Sequence, residues 1–423
     1  VKKKSPRSDV TMDDAKTAPT STLKGEKSQP LSKVGKQLIS PLRKWYRSHS
    51  RELPWRTTHD PYLIWVSEIM LQQTTVKAVI PYFDRFMKLF PSVQDLATAS
   101  ESEVFRAWEG LGYYRRARFL HQAAQVIVTK LNGEFPTDVA GWLSLPGIGR
   151  YTAGAIVSFS FDKPAPILEA NTVRLYARLL GLQEDVKSTS AQKKLWQFAE
   201  AIVPEDRPGE INQALMEIGS QICRPVEPMC ATCPLAKACQ AYAMNLQTQI
   251  PVIKSRVKIT KVIEYMVAVE RDGKFLLRQR KADERWAGMW DFLRWTSPFD
   301  DVERFDKKAN PKSHSKSSHT ASELSALEDA LLLQVGCKLE VQSLELVFVH
   351  HVTRYALTQV CVRAHPLNLK TNNKQALIKE VDDSPCMWVK PEEFAAHPLS
   401  TSARRFANHL LKRIHTPQLP GMD

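Results

Sequence analysis

Apolar residues recur at steps of three and four through residues 38–243, as at Leu96, Val104, Trp108 and Leu111 and again at Leu120, Ala124, Ile127 and Leu131. That spacing lines one face of a helix, so the segment predicts a succession of helices punctuated by Pro and Gly. The periodicity lapses over 244–260, which reads as a linker. Beyond it the pattern turns to strands at Ile263–Val269, Phe275–Arg278, Leu344–Val349 and Tyr355–Val362, with one helical run at Glu323–Val335. Residues 296–322 are polar and rich in Lys, Ser and His, a surface insertion. The first 37 residues hold nine Lys/Arg, four acids and few apolar side chains, the composition of a disordered basic tail. A short tail follows at 416–423. The fold class is therefore multidomain, an all-α half (38–243) joined to an α+β half (261–415).

Composition narrows the function classes. With 43% hydrophobic and 25% charged residues in 423, the chain is globular. No run of eighteen apolar residues occurs, which argues against a membrane helix. A net charge of +14 points to a polyanionic partner, nucleic acid before membrane. The tail lacks the apolar core of a signal peptide. Seven cysteines, four of them crowded into 223–239, fit a reducing, intracellular setting better than a disulfide framework.

Two motifs carry chemistry. Cys223-x6-Cys230-x2-Cys233-x5-Cys239 gathers four thiols that suit zinc or an iron–sulfur cluster equally well, and spacing alone does not choose. Leu145-Pro-Gly-Ile-Gly149 followed by Arg150-Tyr-Thr-Ala-Gly154 reads as a helix–hairpin–helix. Gly147 and Gly149 there allow positive φ and close approach, so the amides opening the second helix can grip a DNA phosphate without reading sequence.

The hairpin followed by this cysteine spacing resembles the endonuclease III superfamily of DNA glycosylases. Within it, Leu53-Pro-Trp-Arg56, Trp65-Val-Ser-Glu-Ile-Met-Leu-Gln-Gln-Thr74 and Trp108-Glu-Gly-Leu-Gly-Tyr-Tyr114 resemble the adenine DNA glycosylase (MutY) family. The likeness is dense over 40–245 and looser over 260–410. It implies a [4Fe-4S] cluster on Cys223, Cys230, Cys233 and Cys239, and a monomer acting on duplex DNA with A·8-oxoguanine or A·G mispairs. Bifunctional relatives carry a lysine just after the hairpin. Tyr151 stands there, and a phenol cannot form an imine with the sugar, so base excision without an obligatory lyase step is expected.

Cleaving an N-glycosidic bond requires a proton for the leaving base and a carboxylate to balance the oxocarbenium-like sugar. Glu68 matches the family's general acid, and its apolar neighbours would raise its pKa. The family's usual Asp-Gly-Asn appears as Glu169-Ala170-Asn171. Glu169 keeps the charge with one more methylene, and Asn171 is expected to orient it. The resemblance further assigns Arg56 and Glu217 to the adenine pocket, and Gln73, Thr74 and Tyr113 to wedges in the base stack.

The second half resembles the MutT-like (Nudix-fold) domain with which this family reads 8-oxoguanine, through Leu276-Leu-Arg-Gln-Arg280 and Trp286-Ala-Gly-Met-Trp-Asp-Phe292. The helix at Ala326–Gly336 has leucines where a diphosphate hydrolase needs acids, so this half is expected to bind rather than catalyse. Val352-Thr353-Arg354 replaces the family's Phe-Ser-His loop, leaving Thr353 and Arg354 as candidate lesion contacts. His350 and His351 are expected to pack or face solvent, and Cys337, Cys361 and Cys386 to fill the core. Two rivals remain: a mismatch glycosylase with altered base choice, and a catalytically silent lesion binder. Turnover on an A·8-oxoguanine duplex separates all three.

Overall fold

The structure, a computed structural model, describes residues 31–254, 259–298, 321–352, 354–367, 378 and 380–415. The helical half runs α1 (Leu31–His49), α2 (Pro61–Leu71), α3 (Val76–Leu89), α4 (Val93–Thr98), α5 (Glu101–Trp108), α6 (Arg115–Lys130), α7 (Val139–Leu143), α8 (Arg150–Phe161), α9 (Ala170–Leu179), α10 (Thr189–Ile202), α11 (Pro208–Gln221) and α12 (Gln240–Ala243). The other half comprises β1 (Thr260–Arg271), β2 (Lys274–Gln279), β3 (Trp290–Asp291), β4 (Leu293–Thr296), α13 (Ala321–Val335), β5 (Leu339–Val352), β6 (Tyr355–Pro366), β7 (Glu380–Val381), β8 (Ser384–Val389) and α14 (Thr401–His415).

Three helices explain where a site can form. In α2, Asp60 accepts from Tyr62 N (2.8 Å) as N-cap and Pro61 opens the first turn, where its missing N–H costs nothing. The helix is apolar almost all round, and eight of its eleven residues are buried. A helix without a polar face belongs inside a fold. α8 is buried from Thr152 to Phe159, and α11 buries Asn212 and Glu217 among apolar neighbours. These helices pack together, with the start of α9 beside them.

Helix α1 begins at Leu31, inside the segment expected to be a tail. Gly35, Leu38 and Leu42 are buried, and Gly35 lies against the Ala201 backbone of α10. The polar composition around them hides this three-to-four spacing. Residues 1–30 and 416–423 lie outside the described residues. The expected linker is also partly docked: Ile250 is buried and its carbonyl accepts from Arg178 Nε (2.8 Å), while Val186 N donates to Val252 O (3.1 Å).

The sheet runs β5-β6-β1-β2-β8-β7, with β4 on β1 and β3 on β2. β1 and β6 are parallel, and the other pairings are antiparallel. Alternate residues of β1 enter two cores: Met266 and Ala268 pack with Phe406, Ala407 and Leu410 of α14, while Tyr265 and Val267 pack with Leu327 and Leu331 of α13. Burial on both faces explains the unbroken apolar run. The strands β3, β4, β7 and β8 and helix α14 add to the elements expected from sequence. Most of the polar insertion, residues 299–320, lies outside the described residues.

The halves touch. Met289 is buried in the core formed by α2, α5 and α6, with Trp286 beside it. Arg118 Nη2 donates to Ala287 O (2.5 Å).

Candidate active site

A cavity of about 440 Å³ opens where α2, α8, α11 and the N-terminus of α9 converge. Glu68, Tyr151, Glu169, Asn171, Arg56 and Glu217 line it, with Gln73 and Thr74 at its α2 end. Glu68 is 3% exposed, and Tyr151 Oη donates to its Oε2 at 2.6 Å. Burial pushes the Glu68 carboxyl up to about 7; the Tyr151 hydrogen bond pulls it down, Glu169 pushes it up, and Arg56 pulls it down. Burial and the neighbouring Glu68 charge hold the Tyr151 phenol well above its ordinary range.

Glu169 caps α9. Its Oε1 accepts from Thr172 N (2.9 Å), and its Oε2 accepts from Asn171 N (2.8 Å) and Asn171 Nδ2 (3.2 Å). Thr172 Oγ1 accepts from Glu169 N in return (2.8 Å), closing a capping box. The longer side chain thus folds back onto the first turn of its own helix. Burial raises the Glu169 pKa, against the pull of these donors and of Arg174.

Glu217 is fully buried and doubly paired, with Arg51 (2.5 and 2.9 Å) and with Arg56 Nη2 (2.6 Å). Burial raises its pKa, but the two guanidiniums outweigh that and leave it lowered. Arg51 is a cavity residue that no sequence motif singles out.

Gln73 and Tyr113 both sit in the left-handed region (φ +57° and +52°), and Tyr113 is 46% exposed. Tyr113 lies outside the cavity lining, but one guanidinium joins its loop to that of Gln73. Arg116 donates to the carbonyls of Ile69, Met70 and Gln72, to Thr74 Oγ1, and to the carbonyls of Leu111 and Gly112. Its charge also lies 5.7 Å from the Tyr113 ring centroid. In sequence Arg116 is one of several arginines in Tyr113-Tyr-Arg-Arg-Ala-Arg118, and nothing local distinguishes it.

At the hairpin, Gly147 has φ +74°, and a Cβ there would meet the Phe119 side chain at 2.4 Å. Gly149 is the N-cap of α8 in extended backbone, with open space where a Cβ would stand. The expected positive φ therefore holds for Gly147 and not for Gly149.

The four cysteines lie apart from this cavity, around a second, smaller one. Among the described residues no group of three or more His, Cys, Asp or Glu is arranged to hold a metal ion. Cys223, Cys230, Cys233 and Cys239 all line this second space. Arg178 Nη1 lies 3.2 Å from Cys223 Sγ, a cation placed to offset a thiolate. Burial pushes the Cys233 thiol up to about 11 and raises Cys230 and Cys239, so a cationic centre is what would favour their thiolates. α9 spans both places: Glu169 and Asn171 stand at its start, while Arg174 bonds Asn171 Oδ1 (2.9 Å) and the Cys223 carbonyl (2.7 Å).

In the sheet half, Arg354 is exposed, and its Nη2 donates to Tyr355 Oη (2.9 Å). Thr353 lies outside the described residues. His350 is half-buried beside Trp286 (6.3 Å between ring centroids), and Cys361 is buried, whereas Cys337 and Cys386 are partly exposed.

A helical half with a hairpin and a buried acid, joined to a helix-flanked mixed sheet, defines a class. Residues 66–201 match the HhH-GPD superfamily of base excision DNA repair proteins, and residues 264–409 match the NUDIX domain. The adenine DNA glycosylase of Buchnera aphidicola subsp. Acyrthosiphon pisum (strain APS) is 38% identical over 249 residues, covering 59% of this chain and 71% of that protein. The adenine DNA glycosylase of Mus musculus is 41% identical over 226 residues, covering 51% of this chain and 44% of that one. A solved thermostable thymine-DNA glycosylase is 31% identical and covers 50% of this chain and 98% of that one, with a TM-score of 0.46. The chain belongs to the adenine DNA glycosylase family.

Proposed function

We propose that this protein is a monofunctional adenine DNA glycosylase, removing adenine mispaired with 8-oxoguanine or guanine by hydrolysis of the N-glycosidic bond. The observation that carries the reading is one cavity lined by three carboxylates. Glu217 is held by two arginines, while Glu68 and Glu169 stand free of any ion pair among the described residues, in unlike surroundings. Glu68 is buried with its pKa near neutrality, and Glu169 lies under three N–H donors. Such a division is what acid-assisted departure of a base demands. An adenine turned out of the duplex enters the cavity beside Arg56 and Glu217. Glu68 gives its proton to the leaving base, and Tyr151, bonded to Oε2, fixes the carboxyl's orientation. The Glu169 carboxylate balances the developing sugar cation, and water completes hydrolysis. Tyr151 offers no amine, so no imine step is assigned to that position.

Gln73, Thr74 and Tyr113 act as wedges in the stack, and Gly147, Gly149 and the opening amides of α8 hold the DNA backbone. Cys223, Cys230, Cys233 and Cys239 would hold a [4Fe-4S] cluster, which when bound supplies a rigid, charged support for the loop. The sheet half reads the base opposite adenine, with Thr353 and Arg354 as contacts. The protein works as a monomer inside the cell. The test is single-turnover release of adenine from duplexes carrying A·8-oxoguanine, A·G and A·T. Release from the first two, abolished in Glu68→Gln, is expected; tight lesion binding without release would establish a silent binder instead.

A further inference from the structure

We propose that the ion pair between Glu109 and Arg404 is a positioning link through which the sheet half sets the wedge loop, so that the base opposite adenine governs excision. The inference rests on the function proposed above. Glu109 closes α5 and immediately precedes Gly110-Leu-Gly-Tyr113, the loop that carries the exposed Tyr113. Arg404 belongs to α14 of the other half. Its Nε and Nη2 donate to the two Glu109 carboxylate oxygens at 2.5 and 3.1 Å, the bidentate geometry that makes such pairs directional. Both side chains are about one-fifth exposed, so solvent screens the pair only in part.

The guanidinium is itself fixed. Nη1 donates to Phe394 O and Nη2 to His397 O, both at 2.7 Å. Arg106, one turn before Glu109, donates to Ala396 O (3.2 Å). The end of α5 is therefore tied to residues 394–397 directly through Arg106 and indirectly through the Arg404 guanidinium that holds Glu109. Those residues are part of the sheet half's framework, because Trp290 N bonds Pro398 O (3.0 Å) and Phe394 is buried in its core.

The other end of the link reaches β5, the strand that leads toward Thr353 and Arg354 in sequence. α14 lies against β5, where Arg405 stands 4.1 Å over the Phe348 ring and Arg413 pairs with Glu345 (2.7 Å). β5 ends at Val352, directly before Thr353 and Arg354. A continuous path thus runs from β5, the strand that ends at Val352, to α14, through Arg404 to Glu109, and into the loop of Tyr113. A displacement of α14 by the opposing base has to move Glu109 or break a bidentate pair.

The experiment compares Glu109→Gln, Arg404→Gln, the double variant and Arg404→Lys with wild type. Two readouts are taken: the ratio of single-turnover excision from A·8-oxoguanine over A·G, and hydrogen exchange of the 110–114 amides in the free protein. Each Gln variant should lower the ratio about tenfold, within the usual range of coupling between sites, while excision from A·G stays within about twofold of wild type. The double variant should be no worse than either single, as for one shared interaction. Arg404→Lys should recover part of the ratio, and exchange over 110–114 should quicken in the Gln variants. An unchanged ratio overturns the inference, whether or not exchange quickens, and so do equal losses on both duplexes. A wild type that excises equally from both duplexes overturns it as well. A wild type that excises nothing refutes the proposed function instead. The affinity ratio for the two duplexes then takes the place of the rate ratio, and its constancy in the variants overturns the link.

Discussion

Replacing Glu68 by glutamine should separate chemistry from stability in a way that only a buried, neutral-poised acid explains. An unfolded Glu titrates near 4.5, whereas burial lifts Glu68 to about 7 in the folded protein. The folded state therefore binds the proton more tightly. Stability from this group is full below the unfolded pKa, declines as pH rises, and is lost once pH passes about 7. At 1.36 kcal/mol per pKa unit, the loss between about pH 4 and about pH 9 is roughly 3 kcal/mol. The glutamine amide has no such titration, and Tyr151 Oη can still donate to its carbonyl. Relative to wild type, Glu68→Gln should gain roughly 3 kcal/mol on going from about pH 4.5 to about pH 8.5. Urea unfolding followed by pulse proteolysis at both pH values measures it. Excision should vanish in the variant, and in wild type it should fall about tenfold per pH unit above about 7, as for a required acid. A pH-independent stability difference, or wild-type excision that stays flat from about pH 6 to about pH 9, would refute both the burial argument and the acid role.

Glu169→Gln should slow single-turnover excision by about two orders of magnitude, the usual scale for one lost electrostatic partner; a wild-type rate would mean that Glu169 serves α9 as a cap alone. The same variant should lower the Glu68 pKa, since the Glu169 charge raises it, and a shift of the pH–rate profile to lower pH checks this. Tyr151→Lys should gain a borohydride-trappable adduct with abasic DNA, and its failure to do so while still binding DNA would count against the position. The purified protein should be brown and contain iron and sulfide. A colourless, active protein with one zinc per chain would exclude the cluster.

What can be read in the sequence follows from how local each signal is. α2 is legible because Pro-Tyr-Leu-Ile-Trp-Val-Ser-Glu-Ile-Met-Leu leaves its acid no polar face, and an acid there is either costly or used. α14 carries the same kind of signal, since Ala403, Phe406, Ala407 and Leu410 keep helical spacing with polar residues between them and are all buried, although it is not among the elements expected from sequence. β3 and β7 have two residues each, too few to show a period, and their pairing depends on partners remote in sequence. β4 and β8 have four and six residues, yet each is bordered by polar or aromatic positions that blur the alternation.

The site divides along the same line. Glu68, Tyr151, Glu169, Asn171 and Arg56 stand in motifs that name them, Glu217 is assigned by resemblance alone, and all six line one cavity. The residues that neither a motif nor the resemblance names are those that act by reaching across the chain. Arg51 meets Glu217 across 166 positions, and Arg116 meets the Gln72 carbonyl across 44. An arginine's reach exceeds any local pattern, and its value lies in which carbonyls or carboxylates tertiary packing brings within a hydrogen bond. Glu169 shows the complementary case. Glu in place of Asp reads as a lengthened arm, yet at the head of a helix the extra methylene lets both oxygens turn back onto the Asn171 and Thr172 amides. The added length is taken up by the cap, so the carboxylate can border the cavity without reaching farther into it. Only the backbone geometry of α9 makes that distinction, which is why the residue can be named from sequence while its posture cannot.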